Sequence, residues 1–239
     1  MSKINKILLA VLILIVVVVA GFLLFEKIQK PTVFVLPIAP LVFEKSTEKY
    51  YTMELSYPRS SATQYPEIYN FIGQTKADFL SQFDNISDSD AADMGITSDN
   101  KWDLEISTRV ATSTQTATYI VSVYTFTGGA HGNTSVETFT YDARGKLVTL
   151  DDFFAAPYLE KVAGLARTYF YNTLGDEMIP SMVDAGTEAT TTNFSAWYLT
   201  DENLTFIFQS YQVGPYVIGM PEFSIARNAL SDIISKQYK

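Results

Sequence analysis

The chain holds one histidine, set among glycines in the run Gly128, Gly129, Ala130, His131, Gly132. Imidazole titrates near neutrality, so His131 is the side chain best suited to move a proton at working pH. Glycines on both sides also mark a tight backbone or a bulge between strands, where a histidine bonds a main-chain carbonyl or caps the turn. A structural or partner-contact role is therefore the reading for His131. A serine triad would need an activated serine beside it, and no G-x-S-x-G elbow is present. The absence of cysteine removes thiolate nucleophiles, disulfides and cysteine-ligated zinc together. Without a second histidine no metal-ligand motif forms, so neither a metal nor a cofactor is expected.

Carboxylates remain, and a pair of them can hydrolyse a glycosidic bond. Glu137, Asp151, Asp152 and Glu222 are candidates, but among 26 acidic residues each carries little information, and no catalytic residue is assigned. Asp152 suits a helix entry, where a carboxylate bonds free backbone N–H groups. Residues 84–100, rich in Asp, Ser and Asn, lack the alternating ligands and terminal glutamate of a calcium loop and read as solvated. Trp197, Tyr198, Tyr211 and Tyr216 could line a sugar-stacking or protein-docking face, although most of the rings must be core. Contacts to a ligand or partner are expected at His131, Asn133, Tyr211, Pro215 and Tyr216, where loop glycines leave backbone exposed.

These residues need a scaffold, and 239 residues with 47% apolar content can supply a sizeable core. The formal charge of −9 becomes −11 beyond residue 25, since Lys3 and Lys6 alone precede every acidic residue. No basic patch interleaved with aromatics occurs, so nucleic acid is excluded as a partner, and a cationic partner would be steered in instead. Residues 7–25 contain no charge and would span about 28 Å as a helix, close to a bilayer's hydrocarbon thickness. The expectation is a single-pass anchor, with residues 1–6 as a cytoplasmic tail and the remainder extracytoplasmic. Cleavage after Ala20 as a signal peptide is the competing reading.

Pro31, Pro37 and Pro40 make residues 26–44 a stalk, part of which packs on the domain as a first strand. Tyr51, Met53, Leu55 and Tyr57 alternate with polar residues as a half-buried strand stopped by Pro58. Helical spacing runs over 67–83 and again over 156–174, with Gly175 as the second stop. Strands are expected over 102–110, 118–126, 134–141, 146–150, 195–200, 204–212 and 223–226, and a short helix from Leu230. The first of these pair as local hairpins, which implies antiparallel sheets. The fold class is α+β: antiparallel sheets with packed helices in two joined halves, 45–140 and 141–239, preceded by one transmembrane helix.

YTFTGGAHGN, TFTYDARGKLVTLDDFF and SYQVGPYVIGMPEFSI together resemble the paired extracytoplasmic module of the anti-sigma factor RsiV family. The same module is similar to the non-catalytic N-terminal part of PdaC-type peptidoglycan deacetylases. The resemblance covers residues 45–239 and implies an α+β fold, no cofactor and a cell-envelope setting. It further implies a module that binds a cell-wall glycan or a lysozyme-like protein, without a deacetylase domain and without a cytoplasmic output. A membrane-anchored, non-enzymatic binding or sensing module is the resulting expectation. A carboxylate-dependent glycan hydrolase acting on the cell wall is the alternative.

Overall fold

The computed structural model describes residues 39–59 and 64–239. Two antiparallel strands open the fold, β1 (Leu41–Thr47) and β2 (Tyr51–Pro58), with Leu41 opposite Pro58. Helix α1 (Pro66–Ser81) starts with proline in its first turn, where the missing N–H costs nothing, and buries Ile68, Ile72 and Phe79. The short helix α2 (Asp88–Asp93) follows, closed by a reciprocal capping box between Ser87 and Asp90. Three long strands then form a meander: β3 (Trp102–Thr112), β4 (Thr116–Phe126) and β5 (Asn133–Asp142).

The resulting five-stranded sheet has the order β1-β2-β3-β4-β5, and β2 pairs with β3 in parallel. This corrects the expectation of purely antiparallel sheets. A parallel pair needs a crossover, and α1 with α2 supplies it between β2 and β3. One face of the sheet packs Leu55, Leu104, Ile106, Tyr119 and Val121 against α1.

Thr149 and Asp152 form a second capping box that opens α3 (Leu150–Phe153) where a strand over 146–150 was expected. Only Leu147 bridges back, to Tyr141. Helix α4 (Leu159–Thr173) buries Val162, Ala166 and Phe170, and α5 (Pro180–Gly186) packs beside it. Strands β6 (Trp197–Leu199), β7 (Asn203–Ile207) and β8 (Glu222–Ala226) make an antiparallel three-stranded sheet. Its core joins Phe170, Phe194, Phe206, Phe208 and Phe223. The end of the chain holds 3₁₀ turns at Arg227–Leu230 and Lys236–Tyr238 where a short helix from Leu230 was expected.

The second sheet meets the first through β6, which packs across β3, β4 and β5, in one compact unit. Ile120 and Val136 from the first sheet pack against Ala196 and Ile207 from the second part. The open edge of β5 is satisfied by side chains: Val136 N–H donates to Gln209 Oε1 at 2.9 Å, and Gln209 Nε2 donates to Val136 O at 2.8 Å. Trp197 N–H donates to Thr138 Oγ1 at 3.0 Å. An unpaired edge is thereby covered without a further strand.

No helix among the described residues is long and apolar enough to cross a membrane. The anchor expected at 7–25 lies outside the described residues. The single-pass placement, the extracytoplasmic localisation and the membrane as a partner therefore have no support in the described fold, and these expectations are withdrawn.

Candidate functional site

Three of the five expected contact residues come together at one end of the seam. The rings of His131 and Tyr216 stack at 4.2 Å, and Tyr211 lies 5.5 Å from Tyr216. His131 comes from the loop before β5, whereas Tyr211 and Tyr216 come from the loop after β7, so the shelf is built from both parts. Tyr216 OH donates to Gly132 O at 3.3 Å. Glycine at 132 lets the Tyr124 ring lie close over the backbone, since a Cβ would come within 2.4 Å of the ring tip and push it aside. Tyr211 keeps a positive φ of 66°, an unfavourable state for a residue with a side chain, while 48% of its surface stays exposed. Pro215 caps the 3₁₀ turn Tyr216–Ile218 rather than joining the rings, and Asn133 is exposed at the start of β5, opposite Thr125.

At the other end of the seam a groove of 360 Å³ lies between α1 and the second part. Glu67 and Asp151 face it with Phe139, Tyr158, Ser195 and Trp197. Each carboxylate is oriented by a tyrosine: Tyr141 OH donates to Glu67 Oε2 at 2.9 Å, and Tyr158 OH donates to Asp151 Oδ1 at 3.2 Å. Burial first, and the nearby Asp151 charge second, push the Tyr158 hydroxyl up to about 12, so it stays a donor at neutral pH.

Glu137 stands two residues from Phe139 on the same face of β5, about 7 Å along the strand. Protein packed around it pushes its carboxyl above the usual range, although the Glu137 side chain itself is exposed to solvent. The other described carboxyls with displaced values all move down, as Asp152 does through the Thr149 backbone N–H and Lys146. Asp152 is thus part of a helix start. Glu222, the last candidate, is bonded by Arg109 and Tyr198 on the opposite face of the first sheet. Among the described residues no group of three His, Cys, Asp or Glu side chains converges to hold a metal.

Of the groove's two carboxylates the sequence reading named Asp151 and missed Glu67; Glu137, which it also named, stands outside the groove's lining. Glu67 reads in sequence as an acidic residue in the first turn of a helix, a placement explained by the helix dipole alone. Nothing local signals that Tyr141, 74 positions away, would hold it at the seam.

Residues 44–134 match the family described as "Deacetylase PdaC", and residues 151–228 match the family described as "Protein of unknown function (DUF3298)". The chain therefore carries a DUF3298 domain following a PdaC-type domain. A curated relative, the peptidoglycan-N-acetylmuramic acid deacetylase PdaC of Bacillus subtilis, is 29% identical over 127 residues, which is 52% of this chain. The match spans 27% of that relative's length. A DUF3298 family structure from Bacteroides fragilis superposes with a TM-score of 0.58 at 18% identity, covering 82% of this chain and 93% of that one. One from Pseudomonas aeruginosa gives 0.54 at 17% identity over 84% and 97%. At those identities the two structures establish the fold.

These matches correct the functional expectation. The likeness is to PdaC and to DUF3298 proteins rather than to RsiV in particular. A membrane-anchored sensing module that is not an enzyme gives way, because the first part matches a deacetylase family and a curated deacetylase.

Proposed function

We propose that this chain is a hydrolase acting on cell-wall glycan, using carboxylates at the seam groove. The carrying observation is that Glu67 and Asp151 line one groove, each held by a tyrosine hydroxyl, while Glu137, two residues along β5 from the groove's Phe139, is the one described carboxyl raised above its usual range. Hydrolysis needs a proton donor for the leaving group and a carboxylate that activates water or attacks directly. Glu137 takes the first role because a raised value keeps it protonated longer as pH rises. Asp151 takes the second, since Tyr158 fixes its direction into the groove, and Glu67 binds sugar hydroxyls across from it. Phe139, half-buried at the groove, offers an apolar face for a pyranose.

The name of the Bacillus relative supports peptidoglycan as the substrate class. Because the match spans about a quarter of that relative, its deacetylation is a second reading for the same groove, with the amide of an N-acetyl group as the bond broken. The shelf of His131, Tyr211 and Tyr216 serves as a distal contact for the same polymer, with Asn133 and Pro215 at its margin. Asn133 and Phe139 are six residues apart on β5, so shelf and groove are separated by about 20 Å, several sugars along one strand of glycan. The finer likeness to the paired RsiV module, supported by the order of the two domains, and a boundary near residue 140 belong to this proposal.

The test is incubation of the full chain with purified peptidoglycan, followed by mass spectrometry of the soluble products. Cleaved fragments would report glycosidic hydrolysis, and a loss of acetyl mass would report the amide reaction. Glu137→Gln and Asp151→Asn should each lower the rate at least 100-fold. Wild-type products no greater than a buffer control would end the proposal.

A further inference from the structure

A second cleft, sharing no lining residue with the seam groove, lies between β1, β2 and α1 and holds 170 Å³. Cavities of about 150 Å³ accept a benzene ring, so this one has room for a single six-membered ring. Its floor is apolar, made by Leu55, Ile68 and Ile72, and Tyr69 stands at its mouth with 51% of its surface exposed. The rim is polar and connected. Glu44 accepts from Tyr57 OH and, through Oε2, from Lys76 Nζ at 3.1 Å. Both Glu44 oxygens are thereby engaged, while the Lys76 ammonium, 38% exposed, keeps N–H donors for a ligand.

Gly73 supplies the independent observation. It lies inside α1, where glycine weakens a helix relative to alanine, and it has no positive φ to justify it. A Cβ built there would meet nothing within 4 Å, so no close approach requires glycine either. What glycine does at this position is leave the wall of the cleft open.

We infer that this cleft binds one pyranose ring carrying a short acyl substituent, the acyl methyl against the apolar floor, the ring against Tyr69, and the hydroxyls on Lys76 and Glu44. An apolar pocket with a few fixed polar groups is the usual design of a small-ligand site. The choice of sugar rests on the proposed hydrolase reading, whereas the cleft shares no residue with the seam groove. It is therefore a separate binding subsite, one that would hold a glycan end while another part of the polymer occupies the groove.

The test is saturation-transfer NMR on the full chain, with N-acetylglucosamine as probe and glucose as the comparison. The wild type should transfer saturation to the acetamido methyl protons, and glucose should give at least a threefold weaker signal. Gly73→Leu should reduce the N-acetylglucosamine signal at least fivefold, and Lys76→Met should reduce it severalfold. Gly164→Ala, a helix glycine that also meets nothing within 4 Å, should leave it unchanged. Equal transfer in wild type and Gly73→Leu, or no transfer in the wild type, would overturn the inference. Glu137→Gln should abolish hydrolysis and keep cleft binding, so loss of the one does not imply loss of the other.

Discussion

Replacing Gln209 by alanine removes the side chain that closes the edge of β5. Gln209 exchanges two hydrogen bonds with the backbone of Val136, at 2.9 and 2.8 Å, and Val136 is only 2% exposed. Each such bond is worth about 1 kcal/mol net, and truncation also strands a backbone N–H and a C=O in a half-buried place. Partial access of water keeps the sum near the lower end, about 2–3 kcal/mol. For a chain of this size each kcal/mol moves the melting temperature by roughly 2–4 °C, so a drop of about 5–10 °C is expected. The two tryptophans make the assay specific, because Trp102 is buried in the first part and Trp197 in the second. Urea titrations of Trp102→Phe and Trp197→Phe backgrounds therefore report each part separately. The two transitions should coincide with Gln209 present and separate in Gln209→Ala, since the seam would no longer transmit cooperativity. Gln209→Glu should recover no more than half, because a carboxylate accepts from the Val136 N–H but cannot donate to its carbonyl. A loss below about 0.5 kcal/mol with coincident transitions would refute the argument that the side-chain cover of β5 joins the two parts.

Asp142 offers a pH-dependent counterpart. Burial pushes its carboxyl up, but bonds from the Arg144 guanidinium and from the Lys146 and Arg144 backbone N–H groups together hold it below its usual value. Its contribution is therefore present above about pH 4 and lost as pH falls through the depressed folded value, so Asp142→Ala should cost about 2 kcal/mol at pH 7 and progressively less below pH 4, read by urea denaturation. Gly186→Ala should destabilise by about 1–3 kcal/mol, because the new Cβ would lie 2.0 Å from the Gln212 carbonyl oxygen. Gly164→Ala, exposed in α4 with open space around it, should stabilise by about 0.5–1 kcal/mol in the same thermal melts.

Elements governed by their own side-chain period were legible in the sequence. The apolar spacing over 67–83 corresponds to α1 at Pro66–Ser81, and the spacing over 156–174 to α4 at Leu159–Thr173. The second helix starts late because the preceding chain is used elsewhere: Phe154 bridges Ile234, and Ala155 N–H donates to Ile233 O at 2.8 Å. The strand expected over 204–212 stops at Ile207 for a similar reason, since Gln209 and Ser210 turn aside to bond β5. In each case a long-range partner truncates an element whose local pattern runs on. The parallel pairing of β2 with β3 was missed although its signal was present. A strand ended by Pro58, then a 16-residue helix, then another strand is the order of a crossover, but the local hairpins that follow dominated the reading.

The site divides along the same line. His131 and Tyr216 could be singled out because each lies near loop glycines, and glycine at 132 lets the Tyr124 ring lie close over the backbone there. The seam groove leaves no such mark, since Glu67 and Asp151 sit in the first turns of their helices, where carboxylates are ordinary. What makes them a pair is the docking of the second part, which brings Asp151, held by Tyr158 within that part, to the same groove as Glu67, held by Tyr141 within the first. Raising Glu137 likewise depends on protein packed around a strand residue whose own neighbours, Val136 and Thr138, point the other way. The chemistry proposed for this groove is thus a property of the junction, and Gln209, which touches none of the three carboxylates, should control it by holding that junction shut.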